Sequence, residues 1–147
     1  MDKSSILNLI KEAKLCVLST ATQSGKTESA VMALTVKDNF TFLMSTESDS
    51  RKIKNIKTNN QVSVVIGGLS GDPSGDPSGD PSVQIDGKAT ILEGEEKSSA
   101  CAFMLSIHPE LKDYNIGEGE IIAIKPTWLR YSDFSANPPR ITEIIEI

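Results

Sequence analysis

Three segments of the chain carry apolar residues at the spacing of one helix face, with charged and polar residues between them. The first covers residues 4–13 and can be capped at its N-terminus by Ser4 or Ser5. The other two cover residues 50–58 and 95–107. The pattern therefore predicts three short amphipathic helices.

Short apolar runs rich in β-branched residues separate these helices and predict strands. They cover residues 15–21, 27–37, 40–45, 61–67, 83–92, 120–126 and 127–134, and the final ITEIIEI is a candidate edge strand. Tight turns join most of them, which favours an antiparallel barrel over βαβ units. The sequence thus predicts a mainly β fold, an antiparallel six- to seven-stranded Greek-key barrel with flanking helices, in which Gly87 marks a bulge or a close backbone approach.

One predicted strand differs from the others in its pattern. Both faces of residues 27–37 are mostly apolar, since Ala30, Met32 and Leu34 alternate with Val31 and Ala33. A strand of this kind is either central in its sheet or faces a partner.

The segment GDPS occurs three times in tandem within residues 71–82. Proline, glycine and aspartate disfavour both strand and helix, and nothing apolar in the repeat could stack as a solenoid. We interpret residues 68–81 as an exposed, flexible loop within a single domain of residues 1–147.

Composition and charge narrow the range of partners. The length of 147 residues suits one domain, and the net charge of −5 disfavours nucleic acid and anionic membranes. No run approaches the ~20 apolar residues of a membrane span. Cys16 and Cys101 lie far apart without C-x-x-C spacing, so we expect reduced thiols, no metal site and a cytoplasmic protein.

One basic segment stands out in this acidic chain, where a predicted strand gives way to a predicted helix. It contains Ser45, Thr46, Ser50, Arg51 and Lys52. A helix N-terminus offers free backbone N–H groups, and an arginine can hold a phosphate by two parallel hydrogen bonds. The segment is a candidate phosphate site; the alternative is an ordinary solvated helix face.

The predicted strands supply candidate contacts to a flat ligand. The small and apolar residues of one strand could lie along a ring: Ser29, Ala30, Val31 and Met32. Core packing is the alternative interpretation of this group.

Two later strands carry polar and aromatic candidates. Ser82, Gln84 and Asp86 share one strand face, from which Gln84 could donate a hydrogen bond to a ring carbonyl. Trp128 and Arg130 alternate on another strand, and an aromatic ring beside a cation suits a flat anionic ligand. The alternatives are a solvent-facing strand side and a core tryptophan beside a surface arginine.

No catalytic arrangement with a local sequence signature is present. The single histidine, His108, precedes a proline at the end of a predicted helix, and we expect it to be a capping or surface residue. If the protein is an enzyme, a bound cofactor must therefore supply the chemistry.

Taken in order, the segments resemble a known family. The segments are the first helix, then LCVLSTATQSGKTESAVMALTVKDNFTFLMSTESDSRKIKNIKTNNQVSVVI, then VQIDGKATIL, then KPTWLRYSDF. Their order is similar to that of the pyridoxamine 5'-phosphate oxidase-like FMN-binding split barrels. Within that family the chain most resembles the short, general-stress-protein-like members. The resemblance covers nearly the whole chain apart from residues 68–81, and it implies a homodimer with FMN in a groove between the protomers.

The resemblance also implies residue roles at the phosphate end of FMN. Ser45 and Thr46 would lie near the ribityl phosphate. Ser50, Arg51 and Lys52 match the phosphate-binding S-R-K of the family.

Further roles are implied at the flavin ring. Residues 29–32 would run along the isoalloxazine, and Gln84, or else Ser82, resembles the glutamine that reaches the flavin from the fifth strand. Trp128 and Arg130 resemble a pair contributed by the second subunit.

The C-terminal end departs from the true oxidase, whose arginine/histidine motif reads pyridoxal phosphate. This chain ends SANPPRITEIIEI, so vitamin B6 oxidation is not expected. The resemblance implies an FMN-dependent oxidoreductase of unknown small-molecule substrate. The alternatives are a non-catalytic flavin-binding or stress-response module, and a deazaflavin- or haem-binding relative on the same fold.

Overall fold

The computed structural model describes residues 1–68 and 80–147. In these ranges the helices are Lys3–Glu12 (α1), Arg51–Thr58 (α2) and Gly94–Ile107 (α3), with a 3-10 helix at Pro109–Tyr114. The strands are Leu15–Ala21 (β1), Thr27–Ala33 (β2), Thr35–Val36 (β3), Phe42–Thr46 (β4), Gln61–Ile66 (β5), Ser82–Ile91 (β6), Glu120–Asp133 (β7) and Arg140–Ile144 (β8). The predicted loop at 68–81 lies outside the described residues, except for residues 68, 80 and 81.

These strands form one antiparallel sheet that closes on itself. Its order is β2-β1-β5-β6-β7-β4-β3, with β8 paired to β7. β2 and β3 stand at opposite ends of this order, yet only Leu34 separates them along the chain. The two ends of the sheet must therefore meet, and the prediction of a mainly β split barrel is confirmed.

The predicted strand 27–37 is divided at Leu34 into β2 and β3. The N–H of Leu34 donates to the carbonyl of Lys14 at 3.0 Å, beyond the end of the β1–β2 ladder, and the chain then pairs with β4. The next strand begins at Phe42 rather than residue 40, because residues 37–41 form a turn in which Phe40 has a φ of 67°.

The predicted strands 120–126 and 127–134 are one long strand, β7. Proline cannot donate a ladder hydrogen bond, and the chain accommodates Pro126 by a bulge. Gly87 pairs with Pro126 and Asp86 with Trp128, so Thr127 is the extra residue. The bulge predicted at Gly87 is confirmed.

The predicted cap of the first helix is wrong. Asp2, not Ser4 or Ser5, is the N-cap of α1, and its carboxylate accepts a hydrogen bond from the Ser5 backbone N–H at 2.8 Å. An ionised carboxylate is a stronger acceptor than a hydroxyl, and it also faces the positive end of the helix dipole.

The core fills the barrel and continues beneath one helix. Ile6 and Ile10 of α1 are fully buried against the barrel interior. A second cluster forms where Met104 of α3 packs on Leu43 and Ile121. In the described ranges, no helix is long and apolar enough to cross a bilayer.

Candidate functional site

The outer face of the sheet carries an aligned row of residues that the sequence separates widely. Strand register places, in order across the sheet, Val31, Val17, Val65, Gln84 and Arg130. The valines are 66%, 37% and 46% exposed, and Leu15 beside them is 59% exposed. We call Leu15, Val17, Val31 and Val65 the outer patch, an apolar surface with polar side chains along one border.

A second row runs parallel to the first. It contains Ser29, Ser19, Ser63, Asp86 and Trp128. The hydroxyls of Ser19 and Ser29 are 2.7 Å apart. The candidate ring-contacting residues Ser29, Val31, Gln84, Trp128 and Arg130 therefore share one face of the sheet.

Arg130 carries a donor with no partner. Its Nη1 lies 3.8 Å from the Glu143 carboxylate, a long contact. Its Nε is buried and has no hydrogen-bond partner among the described residues. A buried N–H without an acceptor costs stability, so this position would gain from a ligand that supplies one.

The run of residues 29–32 is split by the two-residue period of a strand. Ser29 and Val31 are exposed on the outer face, whereas Met32 is 6% exposed and belongs to the barrel core, and Ala30 packs against that core. The side chains of Ala30 and Met32 thus point away from the outer patch, and only their backbone could follow a ligand there.

A small pocket of about 80 Å³ forms beside the first turn of α2. Thr20, Glu28, Ser29, Ala30, Arg51 and Lys52 line it. Arg51 Nη1 lies 2.6 Å from Glu28 Oε2, and Lys26 Nζ lies 3.8 Å from the same oxygen. Three cations and one carboxylate therefore surround this position, which keeps a net positive charge.

The buried side-chain amide of Asn55 holds the Glu28 carboxylate in place. Asn55 Nδ2 lies 2.9 Å from Glu28 Oε1 and 2.9 Å from Thr20 Oγ1, and Asn55 is 6% exposed. The Asn55 hydrogen bond, with Arg51 and Lys26, lowers the pKa of the Glu28 carboxyl below its ordinary value. Glu28 is therefore a fixed, ionised anion at neutral pH.

Sequence reasoning missed this network. Glu28 lies in an alternating strand, and its partners Arg51 and Asn55 are more than twenty residues away along the chain. The available signal was Asn55, a polar residue between Ile53 and Ile56 on the inward side of α2.

Two of the remaining candidate residues lie on a larger pocket of about 700 Å³. Ser45 and Thr46 line it, and it shares no lining residue with the Arg51 pocket. Thr46 Oγ1 lies 3.3 Å from Ser50 Oγ, so a hydroxyl contact joins the end of β4 to the start of α2. Ser50 is the N-cap of α2 without a side-chain capping bond.

His108 lies at the C-cap of α3, consistent with the predicted capping role. Its backbone N–H donates to the Met104 carbonyl at 2.8 Å, and its Nδ1 lies 3.5 Å from Glu110 Oε1. The side chain also lines the larger pocket. Among the residues that the structure describes, no three histidine, cysteine or acidic side chains are grouped to hold a metal ion.

Solved structures with a similar fold include the following three. General Stress Protein 26 from Bacillus anthracis is 23% identical, with a TM-score of 0.69, over 98% of this chain and 100% of that one. A heme binding protein from Mycobacterium smegmatis is 17% identical, with a TM-score of 0.78, over 99% of this chain and 59% of that one. The heme storage protein HutZ from Vibrio cholerae is 17% identical, with a TM-score of 0.69, over 84% of this chain and 89% of that one. At these identities the similarity shows the fold.

The family follows from the sequence match. No curated protein matches the chain. The family model described as pyridoxamine 5'-phosphate oxidase, however, matches residues 3–133, from the first helix to the end of β7. The chain therefore belongs to the pyridoxamine 5'-phosphate oxidase family.

Proposed function

We propose that this chain is a homodimeric flavoprotein that binds FMN between its protomers and works as an oxidoreductase in the cytoplasm. The first row of the outer face is the observation that carries the proposal, because it aligns three exposed valines with Gln84 and with Arg130, whose Nε has no partner among the described residues. The two free cysteines, Cys16 and Cys101, support a reducing compartment.

The spacing of the strands supports pairing of two copies. β2, which carries Ser29 and Val31, is three strands from β6, which carries Gln84. At 4.7–4.9 Å per strand, the two sets of residues lie about 14 Å apart along the sheet, too far for one flavin ring to contact both in one protomer. When two outer patches pack face to face, β2 of one protomer can approach β6 and β7 of its partner.

β2 itself favours this arrangement. The pattern of residues 27–37 predicts either a central strand or one that faces a partner, and β2 lies at an end of the sheet order. Its outward residue Val31 is the most exposed of the outer patch. Burial of exposed valines against a second copy stabilises association by roughly 25 cal/mol per Å² of apolar area removed from water.

The residues of the chain fit FMN at both of its ends. Arg51, Lys52 and the first backbone N–H groups of α2 suit a phosphate, and Glu28 offsets part of that charge. The exposed Gln84 amide and the Arg130 Nε suit the carbonyl oxygens and ring nitrogens of a flavin. When bound, FMN would supply the chemistry of hydride transfer, and these residues would hold and position it.

Haem is the second candidate, since the Mycobacterium smegmatis and Vibrio cholerae proteins are described as heme proteins. His108 lines the 700 Å³ pocket and would be the residue to hold the haem iron there. Three carboxylates line the same pocket, however, and they oppose the propionates of haem. FMN is therefore favoured.

The visible absorption spectrum, recorded with and without added FMN and combined with light scattering, tests the proposal. We expect flavin bands that co-elute with a dimer. No retained flavin after incubation with excess FMN would contradict FMN binding, and a Soret band after addition of hemin would favour haem. Bleaching of bound FMN by NADH or NADPH would support an oxidoreductase, whereas flavin that neither reduces would point to a non-catalytic module.

A matched pair of variants tests the dimer surface. Val31→Asp places a carboxylate in the outer patch, and we expect it to shift the protein toward monomer and weaken FMN binding. Ile145→Asp makes the same chemical change at a residue 72% exposed outside the patch, and it should stay dimeric. A Val31→Asp variant that remains dimeric would exclude the outer patch as the interface.

A further inference from the structure

The pocket of about 700 Å³ has an apolar floor to which both core clusters contribute. It lies between the α1–β1 connection, the end of β4, the end of α3 and the 3-10 helix. Leu34, Met104 and Ile116 supply buried apolar surface there, each at most 5% exposed. A cavity of this size and lining suits a small organic molecule.

Most of the charged groups around the floor are acidic. Glu47, Glu110 and Glu118 line the pocket, and all three are exposed. Lys14 is the one lysine among the lining residues, and no arginine accompanies it in that set. The pocket therefore combines a buried apolar base with a negatively charged rim.

The large and the small pocket differ in the charge of the residues around them. The small pocket beside α2 collects Lys26, Arg51 and Lys52 around a single carboxylate. In the large pocket three carboxylates face one lysine and one histidine. A phosphate or carboxylate ligand is attracted to the first pocket and repelled by the second.

We propose that the large pocket binds a small molecule with an apolar or aromatic body and a protonated amine. The body lies on Leu34, Met104 and Ile116, and the ammonium group faces the carboxylates of the rim. The hydroxyl of Ser48 on the same wall supplies an acceptor for a further ammonium N–H group. Anionic molecules of the same shape are disfavoured.

The pocket is also placed next to the proposed flavin site. Ala33, the last residue of β2, lines it, and the Ser29–Val31 part of that strand belongs to the outer face. A bound amine would thus lie at the end of the strand that we assign to the flavin. Binding itself does not depend on flavin and can be measured on the chain without it.

Tryptamine and indole-3-propionate, which share one ring system and differ in charge, are the probes. We expect isothermal titration calorimetry of the flavin-free protein at low ionic strength to give at least about tenfold tighter binding of tryptamine. Equal affinity, tighter binding of the propionate, or no binding of either probe at millimolar concentration would overturn the proposal.

Variants assign the selectivity to the rim. The double variant Glu47→Gln/Glu118→Gln should weaken tryptamine binding about tenfold and bring the two probes closer in affinity. Glu12→Gln/Glu95→Gln removes the same charge at exposed residues outside the pocket and should leave both affinities unchanged. Equal effects of the two double variants would show that net charge, and not this pocket, selects the amine.

Discussion

Arg51 Nη1 lies 2.6 Å from Glu28 Oε2, so the cation that we assign to a phosphate already has an anion beside it. The two side chains differ in their exposure and in how firmly their neighbours hold them. The Glu28 side chain is 10% exposed and anchored by Asn55, whereas the Arg51 side chain is 68% exposed. Exposed ion pairs contribute little stability, and Arg51 has further N–H donors, so it can turn toward a phosphate without great cost.

Arg51→Ala tests the phosphate site. We expect FMN binding to weaken by about 1.5–3 kcal/mol, the scale of a hydrogen bond to a charged group, with little change for riboflavin, which lacks the phosphate. Quenching of flavin fluorescence measures both affinities. Lys54→Ala removes the same charge from an exposed position on the same helix and serves as the control. Unchanged FMN affinity in Arg51→Ala would remove Arg51 from the site.

Glu28→Gln tests whether the internal anion limits phosphate binding. The glutamine carbonyl can still accept the Asn55 hydrogen bond, but the negative charge beside Arg51 is gone. We expect FMN affinity to rise about tenfold while riboflavin affinity stays constant, because only FMN brings a phosphate to this charge. Weaker FMN binding in this variant would instead show that Glu28 holds Arg51 in its binding orientation.

The local elements could be predicted because their signals are local. β1 is a short β-branched run, α2 follows a serine-rich turn, and Gly87 marks a bulge, so each could be recognised from a few neighbouring residues. The cap of α1 was misassigned because three polar residues, Asp2, Ser4 and Ser5, precede or begin the helix, and only the backbone decides which one caps it.

The site was harder to predict, because its contacts join distant strands. Val17 and Val65 look like core residues in a sequence, and only the order of the strands shows that they are exposed beside Gln84. The Glu28–Arg51 ion pair likewise depends on the position of α2, which packs against β1 and β6, and no periodicity encodes that position.

Gly87→Ala tests the bulge between β6 and β7. An added Cβ would lie 2.8 Å from Ile124 Cγ2 and 3.0 Å from the Lys125 carbonyl oxygen, and the backbone atom cannot move aside easily. We expect a loss of about 1–3 kcal/mol in the free energy of unfolding, measured by urea denaturation. At Gly67 an added Cβ meets no described atom within 4 Å, so Gly67→Ala should change stability by no more than about 0.5 kcal/mol. Similar values for the two variants would contradict this account of the bulge.

Cys16 and Cys101 should differ sharply in thiol reactivity. Burial raises the pKa of the Cys16 thiol to about 12, whereas Cys101 is half-buried on α3. Because the thiolate is the reactive form, native protein at mildly alkaline pH should react with Ellman's reagent at Cys101 alone, and Cys16 should react once guanidinium chloride unfolds the chain.

The raised pKa of the Cys16 thiol also makes the free energy of unfolding depend on pH. Since the folded state keeps the Cys16 proton more tightly than the unfolded state, this contribution to stability is complete below the ordinary thiol value of 9.0 and is lost as the pH rises toward about 12. Urea denaturation across this range should show a steeper alkaline loss of stability in the wild type than in Cys16→Ala. Prompt labelling of Cys16 in a native Cys101→Ser variant would show that the thiol is accessible, and the expected alkaline difference would then be absent as well.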